Sequence, residues 1–480
     1  MAEETASKSQ LRRAMGFWDV LLFNIAAVLG PRWIASAAHN GTSSISLWVL
    51  AAVLFFLPTA LIIIELSTRY PAEGGLYVWS KEAFGDFHGF VAGWAYWSYT
   101  VFYFPGLLTA SVAMSVYIGG PKYWALAKDP HYLLWSSMAL LAVAVILNII
   151  GLNIGKWLQN AGGISTYLPL LMLIGIGAYL GLHRGSATHF SFQNIFPHLN
   201  LDTVNYWSQI AFAFTGMELV CAMSEEIRDP RKTFPRAIYA SAALIALIYI
   251  AGTMAVLVIQ PATGTDTRSG VFQGISSGAA TLGIAWFGVI AALLVTVGNA
   301  GGVGATVAGV ARVPFVAGID HYLPSFFGKI HPKWKTPYIA ILIQAGISGV
   351  ILALSQYKAS WQDAYQLLVD AAIILYFIPF LYMYASVIKL AYRADRKQEQ
   401  AVLVPGGKPG VWIAGLLGFS VTLLSIVFAM IPPETESKWL FETKLLGATA
   451  LTIAIGLALY WKGARSKRAS SHLHVPTKPA

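Results

Sequence analysis

The sequence predicts an all-α membrane protein of twelve transmembrane helices. Three observations carry that reading. The 480 residues are 56% hydrophobic and 11% charged, with a mean hydropathy of +0.61, whereas a soluble domain carries roughly a quarter charged residues. Apolar runs of about 20 residues, enough to cross ~30 Å of hydrocarbon, recur along the chain. Lysine and arginine alternate between the loops: of the 32, 24 fall in one set of loops and the tails, and 7 in the other. Positive charge collects on the cytoplasmic side, so both termini are expected there. An odd number of spans would scramble this alternation. The net charge of +10 is then topology and contact with acidic headgroups, and no nucleic-acid partner is expected.

The runs are 16–38, 46–68, 89–117, 133–151, 159–182, 206–224, 237–260, 282–311, 337–355, 365–390, 411–431 and 442–461. Residues 1–15 are polar and lack a signal-peptide pattern, so span one is expected to be retained. Its centre is broken by Gly30-Pro31-Arg32, while Asp19 near its inner end reads as interfacial. Spans three and eight are long enough to tilt strongly. Pro58, Pro105, Pro169, Pro314 and Pro379 lie in or near spans, where kinks are usually structural. The polar stretch His183 to Asn205, carrying Phe192, Ile195 and Phe196, is exterior and is expected to pack over the outer mouth. Span six is broken at Thr215-Gly216, with Glu218 at its centre. Trp18, Trp94, Trp97, Trp124, Trp135 and Trp207 read as interfacial anchors, and the polar tail 462–480 as disordered. The lone Cys221 lies inside an apolar run, which excludes an intrachain disulfide.

The two breaks carry the functional reading. Unpaired backbone groups cost several kcal/mol in hydrocarbon, so broken helices persist only inside protein or along a cavity. Two of them five spans apart point to a transporter's substrate site. Glu218 beside the Gly216 break faces a cavity or is held protonated, for ionising it at mid-membrane is costly. The plainer reading is a carboxyl that glues neighbouring helices. Arg32 offers a planar fork suited to a carboxylate. It binds substrate, pairs with Glu218 or Asp370 as a fixed gate, or snorkels to the exterior. Asp370 itself reads as a solvated or capping group near the outer interface. Thr306 borders the small residues Gly301-Gly302-Val303-Gly304, which suit close helix packing or leave room for a substrate.

No phosphate loop, HExxH, CxxC pair or Gly-Xaa-Ser-Xaa-Gly turn is present in the sequence, so neither an enzyme nor a nucleotide-driven pump is expected, and neither cofactor nor metal. The reading is a secondary active transporter.

Three stretches resemble the amino acid–polyamine–organocation superfamily. They are Glu65-Leu-Ser-Thr-Arg-Tyr-Pro-Ala-Glu-Gly-Gly-Leu-Tyr-Val-Trp79 with Phe84-Gly85, then Phe212-Ala-Phe-Thr-Gly-Met-Glu218 with Glu225-Glu-Ile-Arg-Asp-Pro-Arg-Lys-Thr-Phe-Pro-Arg-Ala237, and Ala311-Arg-Val-Pro-Phe-Val-Ala-Gly-Ile-Asp-His-Tyr-Leu-Pro324 after span eight. The resemblance implies two five-helix repeats of inverted topology (residues 16–392), two peripheral helices (393–461) and cytoplasmic tails at 1–15 and 462–480. It implies a substrate site at Gly30, Pro31, Arg32, Trp33 and Ile34 and at Phe212, Phe214, Thr215 and Gly216, faced by Thr306. Glu218 matches a carboxylate tied to proton coupling or gating. The usual Gly-Ser-Gly of span one is Gly30-Pro31-Arg32 here: Pro31 removes an amide donor, and Arg32 is placed to supply the carboxylate contact instead. Pro169 stands at or near the place where some proton-coupled members carry a lysine. The function implied is an amino-acid permease or exchanger of the inner membrane, with protons or a counter-substrate as second partner. The alternative is uptake of a polyamine or other organocation.

Overall fold

All twelve predicted spans are helical in the computed structural model, which describes residues 13–197, 201–267, 269–355, 361–393, 401–431 and 438–472. Among the described residues ten helices are long and apolar enough to cross a membrane, and Tyr338–Leu354 is a shorter apolar helix. The remaining span is the interrupted sixth. Tail residues 1–12 and 473–480, with the loop cations Arg268, Lys358, Arg396 and Lys397, lie outside the described residues.

Span one is two helices, Phe17–Val28 and Pro31–His39. Proline at the first position of the second half suits a helix start, where its missing N–H would have had no partner. Span six runs as Leu201–Ala213, breaks at Phe214–Glu218, and resumes as a 3₁₀ helix, Leu219–Glu226. Gly216 in the break has φ +119°, a conformation that L side chains rarely adopt. One side chain ties the two breaks together. Tyr249 Oη, on the span-seven helix Pro230–Ile259, accepts the Gly30 N–H at 3.1 Å and lies 2.6 Å from Val28 O and 3.1 Å from Ala213 O. Backbone groups released by unwinding are thus bonded again inside protein, as hydrocarbon requires.

Spans five (Leu152–Arg184) and eight (Phe287–Ile319) touch backbone to backbone. A Cβ on Gly301 would sit 2.4 Å from Gly162 Cα, so the small-residue stripe works as a packing seam. Gly298, Gly302 and Thr306 also border a cavity.

Several expectations are corrected. Span eight starts at Phe287, not near residue 282, because Leu282-Gly283-Ile284 closes a separate helix, Gly270–Thr281. Gly283 has φ +74°, and the Ile284 and Gly283 amides return to Ala279 O at 2.9 Å and Ala280 O at 3.0 Å, a Schellman cap. At its other end span eight continues to Ile319 and carries Arg312, so the third motif lies mostly on the helix rather than after it. The last helix runs to His472, so residues 462–472 of the expected disordered tail are helical. Asp370 is fully buried, not solvated. Trp97 is also buried, and so is no interfacial anchor. The described part of the segment after span five, expected outside, rests on the start of span two, where Thr42 and Ser46 donate to Asn194 O (2.7 Å) and Ile195 O (2.6 Å). Asp266 and Ser269, ahead of the Gly270–Thr281 helix, border the same cavity as Thr306.

Candidate functional site

A cavity of about 160 Å³ enters from the face opposite the termini and descends to the span-one break. Its wall includes Gly30, Pro31, Arg32, Trp33, Tyr103 and Thr306. The second half of span one points its N-terminus into this space, and a helix N-terminus carries partial positive charge and free amides. Arg32 adds a full charge at the same place. Its Nη2 donates to Tyr103 Oη at 2.8 Å, and its guanidinium carbon lies 4.6 Å from the Trp33 ring centroid and 5.2 Å from that of Tyr103. Two aromatic faces hold the fork at the cavity edge, where it is half-buried. This is an anion-binding geometry.

A second chamber of about 20 Å³ lies deeper, bordered by Trp33, Tyr99, Phe212, Thr215, Gly216 and Tyr376 among others. Its volume suits about one water. Thr306 and Tyr103 border both spaces. Phe212 packs against Tyr103 at 5.8 Å and Tyr376 at 5.3 Å between centroids, closing the layer between them.

Glu218 borders neither space. It is buried behind Tyr376 and accepts hydrogen bonds from Tyr96 Oη at 3.0 Å, from Tyr376 Oη, and from the Gly216 amide at 3.0 Å. Two phenols and a break amide satisfy the carboxyl that was considered as a partner for Arg32. The reading in which Arg32 pairs with Glu218 as a fixed gate is therefore corrected: the aromatic layer stands between them. Two further candidates point elsewhere. Phe214 packs among Trp48, Phe56 and Tyr249, and Ile34 packs against Gly252 of span seven. Both are buried in helix contacts, because side chains around a break still alternate between cavity and bundle.

The tyrosines were missed. Tyr96, Tyr99 and Tyr103 follow i, i+3, i+7 spacing on span three (Asp86–Ser115), one face of a helix. That stripe was present in the sequence as a signal. Tyr249 and Tyr376 had no such local signal. Among the described residues no cluster of His, Cys, Asp and Glu is arranged to hold a metal ion.

A family model described as "Amino acid permease" matches residues 15–455. The probable agmatine/putrescine antiporter AguD of Lactococcus lactis is 24% identical, over 94% of this chain and 93% of that protein. The serine/threonine exchanger SteT of Bacillus subtilis is 27% identical, over 82% of this chain and 87% of its own length. Among solved structures, MhsT in complex with L-phenylalanine superposes with a TM-score of 0.63 at 12% identity, covering 87% of this chain and 98% of that one. The likeness to MhsT is one of fold: two inverted five-helix repeats with broken first and sixth helices, then two further helices.

Proposed function

The chain belongs to the amino acid permease family, and from that premise we propose that it moves amino acids across the cytoplasmic membrane by alternating access. Arg32 is the observation that carries the substrate class. A guanidinium stays charged at any working pH and presents a bidentate fork, here at the N-terminus of a half-helix on the cavity wall. It supplies the carboxylate contact where Pro31 offers no amide. The C-terminal end of the Leu201–Ala213 half-helix suits the amino group, since the end of a half-helix is partially negative.

Exchange, or proton coupling through Glu218, supplies the driving force. Glu218 touches the break directly through the Gly216 amide, so substrate movement and the state of the carboxyl are mechanically linked. Both termini face the cytoplasm on this reading, since the cation-rich loops accompany them.

A second reading, organocation transport, draws support from the likeness to AguD. Arg32 opposes it, because a fixed positive charge repels a polycation. Uptake and counterflow in proteoliposomes, with labelled amino acids beside putrescine and agmatine, test both. Saturable amino-acid transport supports the proposal; uptake of the amines alone overturns it.

A further inference from the structure

The face bearing the termini is closed by a cluster that substrate binding does not use. Glu73 lies in the loop between spans two and three, Glu226 ends the 3₁₀ half of span six, and Arg312 sits near the end of span eight. Their exposures are 4%, 2% and 0%. Arg312 Nε donates to Glu226 Oε1 at 2.8 Å and lies 3.8 Å from Glu73 Oε1. Glu73 Oε2 accepts the Glu225 amide at 3.1 Å, while its Oε1 is buried without a hydrogen-bond partner beside the guanidinium. Two buried carboxyls share one guanidinium.

Other backbone contacts lock the same elements. Gly74 N–H donates to Ala222 O at 2.9 Å, Ala14 N–H to Glu226 O at 2.9 Å and Arg228 N–H to Met15 O at 2.9 Å. The loop and span six cannot part without separating Glu73 from Glu226. A cavity of about 160 Å³ on this face is bordered by Glu73, Glu225, Tyr77, Lys81, Glu82 and Asp320. Lys81 is held by Asp320 at 2.6 Å and Asp86 at 3.3 Å, and Glu82 pairs with Arg393 at 3.1 Å.

We propose that Glu73 and Glu226 form a proton-binding site that clamps this face shut, holding one proton between them beside Arg312 and releasing it to solution on the same side as the face opens. One carboxyl O–H breaks, the proton passes to water through the cavity, and Arg312 stays charged. Two carboxylates against one cation, out of water, favour retaining that proton. Burial, then repulsion by Glu226, pushes Glu73 well above the ordinary carboxylate range. The closed face therefore binds more protons than the open one. The clamp is fully present below the ordinary carboxylate range and is lost as pH rises through the raised value. Because the proton returns to the solution it came from, it regulates opening and is not cargo.

The inference rests on the alternating-access reading, but its test needs neither substrate nor flux. Cys221 is the chain's single cysteine, fully buried beside the Gly74-Gly75 loop. Its alkylation by a membrane-impermeant maleimide is followed in vesicles whose outer surface is the terminal face. Each rate is divided by that of the detergent-unfolded chain at the same pH, which removes the thiolate's own pH dependence. The ratio should rise about tenfold or more between about pH 5 and pH 8, within the limit of tenfold per pH unit for one proton. Glu73→Gln should flatten the profile, and Glu226→Gln, if the first variant does not fold, should do the same. A flat wild-type ratio, or an unchanged slope in the folded Gln variant, overturns the clamp.

Discussion

Trp33 meets Phe212 edge to face, with ring centroids 5.8 Å apart and planes at 81°. One ring belongs to the second half of span one, the other to the last turn before the break in span six. The contact therefore closes directly between the two interrupted helices, and Tyr103 completes it from span three. The large cavity lies on one side of this layer and Glu218 on the other.

If the layer acts as a unit, its members are coupled. Phe212→Ala and Trp33→Ala should each weaken substrate binding, and the double variant should fall short of their sum. An aromatic pair contributes roughly 0.5–1.5 kcal/mol beyond its buried area, about 2- to 13-fold in affinity. Equilibrium binding on the four proteins measures the coupling. Strict additivity would mean that the rings act independently.

Glu218→Gln should abolish the pH dependence of uptake while leaving exchange at least partly active. The amide keeps the shape and the contact with the Tyr96 and Tyr376 hydroxyls but cannot carry a proton. Uptake and counterflow, measured at several pH values of the solution facing the cavity, give the result. An unchanged uptake profile removes Glu218 as the proton carrier.

Packing between spans five and eight gives a stability prediction with its own control. Gly301→Ala places a methyl 2.4 Å from Gly162 Cα, where backbone cannot yield cheaply. Overpacking of this kind costs about 1–3 kcal/mol, so the apparent Tm in detergent should fall. Gly346→Ala on span nine meets nothing within 4 Å and should hold or raise Tm, since alanine favours a helix by up to about 1 kcal/mol. Equal shifts in both variants would sink the seam.

The sequence disclosed the spans and the breaks because hydrophobic length and helix-breaking residues are local properties. Gly30, Pro31, Arg32, Trp33, Phe212, Thr215, Gly216 and Thr306 all border a cavity. What sequence could not supply was direction around a broken turn, where regular periodicity no longer says which way a side chain points. Phe214 and Ile34 were misassigned for that reason. Asp370 looked solvated because charge near a span end usually is, and only tertiary packing buries it. Glu73, Glu226 and Arg312 each appeared in a motif, but their meeting depends on three distant elements. Leu282-Gly283-Ile284 joined span eight by hydropathy alone, while its cap geometry assigns it to the preceding helix.

The role of Arg32 yields the most discriminating prediction. If the guanidinium binds a substrate carboxylate, the decarboxylated analogue of the preferred amino acid should bind far more weakly. Losing a charge-assisted bond to this half-buried guanidinium costs roughly 1.5–3 kcal/mol, about ten-fold to 160-fold in affinity. Arg32→Lys should also bind poorly, since an ammonium lacks the planar fork and would stack less well against Trp33 and Tyr103. Tyr103→Phe should weaken the amino acid more than the amine, because it removes the 2.8 Å bond that orients the fork. If Arg32 only gates the cavity, acid and amine should bind alike and Arg32→Ala should mainly slow transport. Equilibrium binding of both ligands to wild type and Arg32→Ala separates the cases. Equal affinities on wild type would dismiss Arg32 as the carboxylate ligand and move the organocation reading to the front.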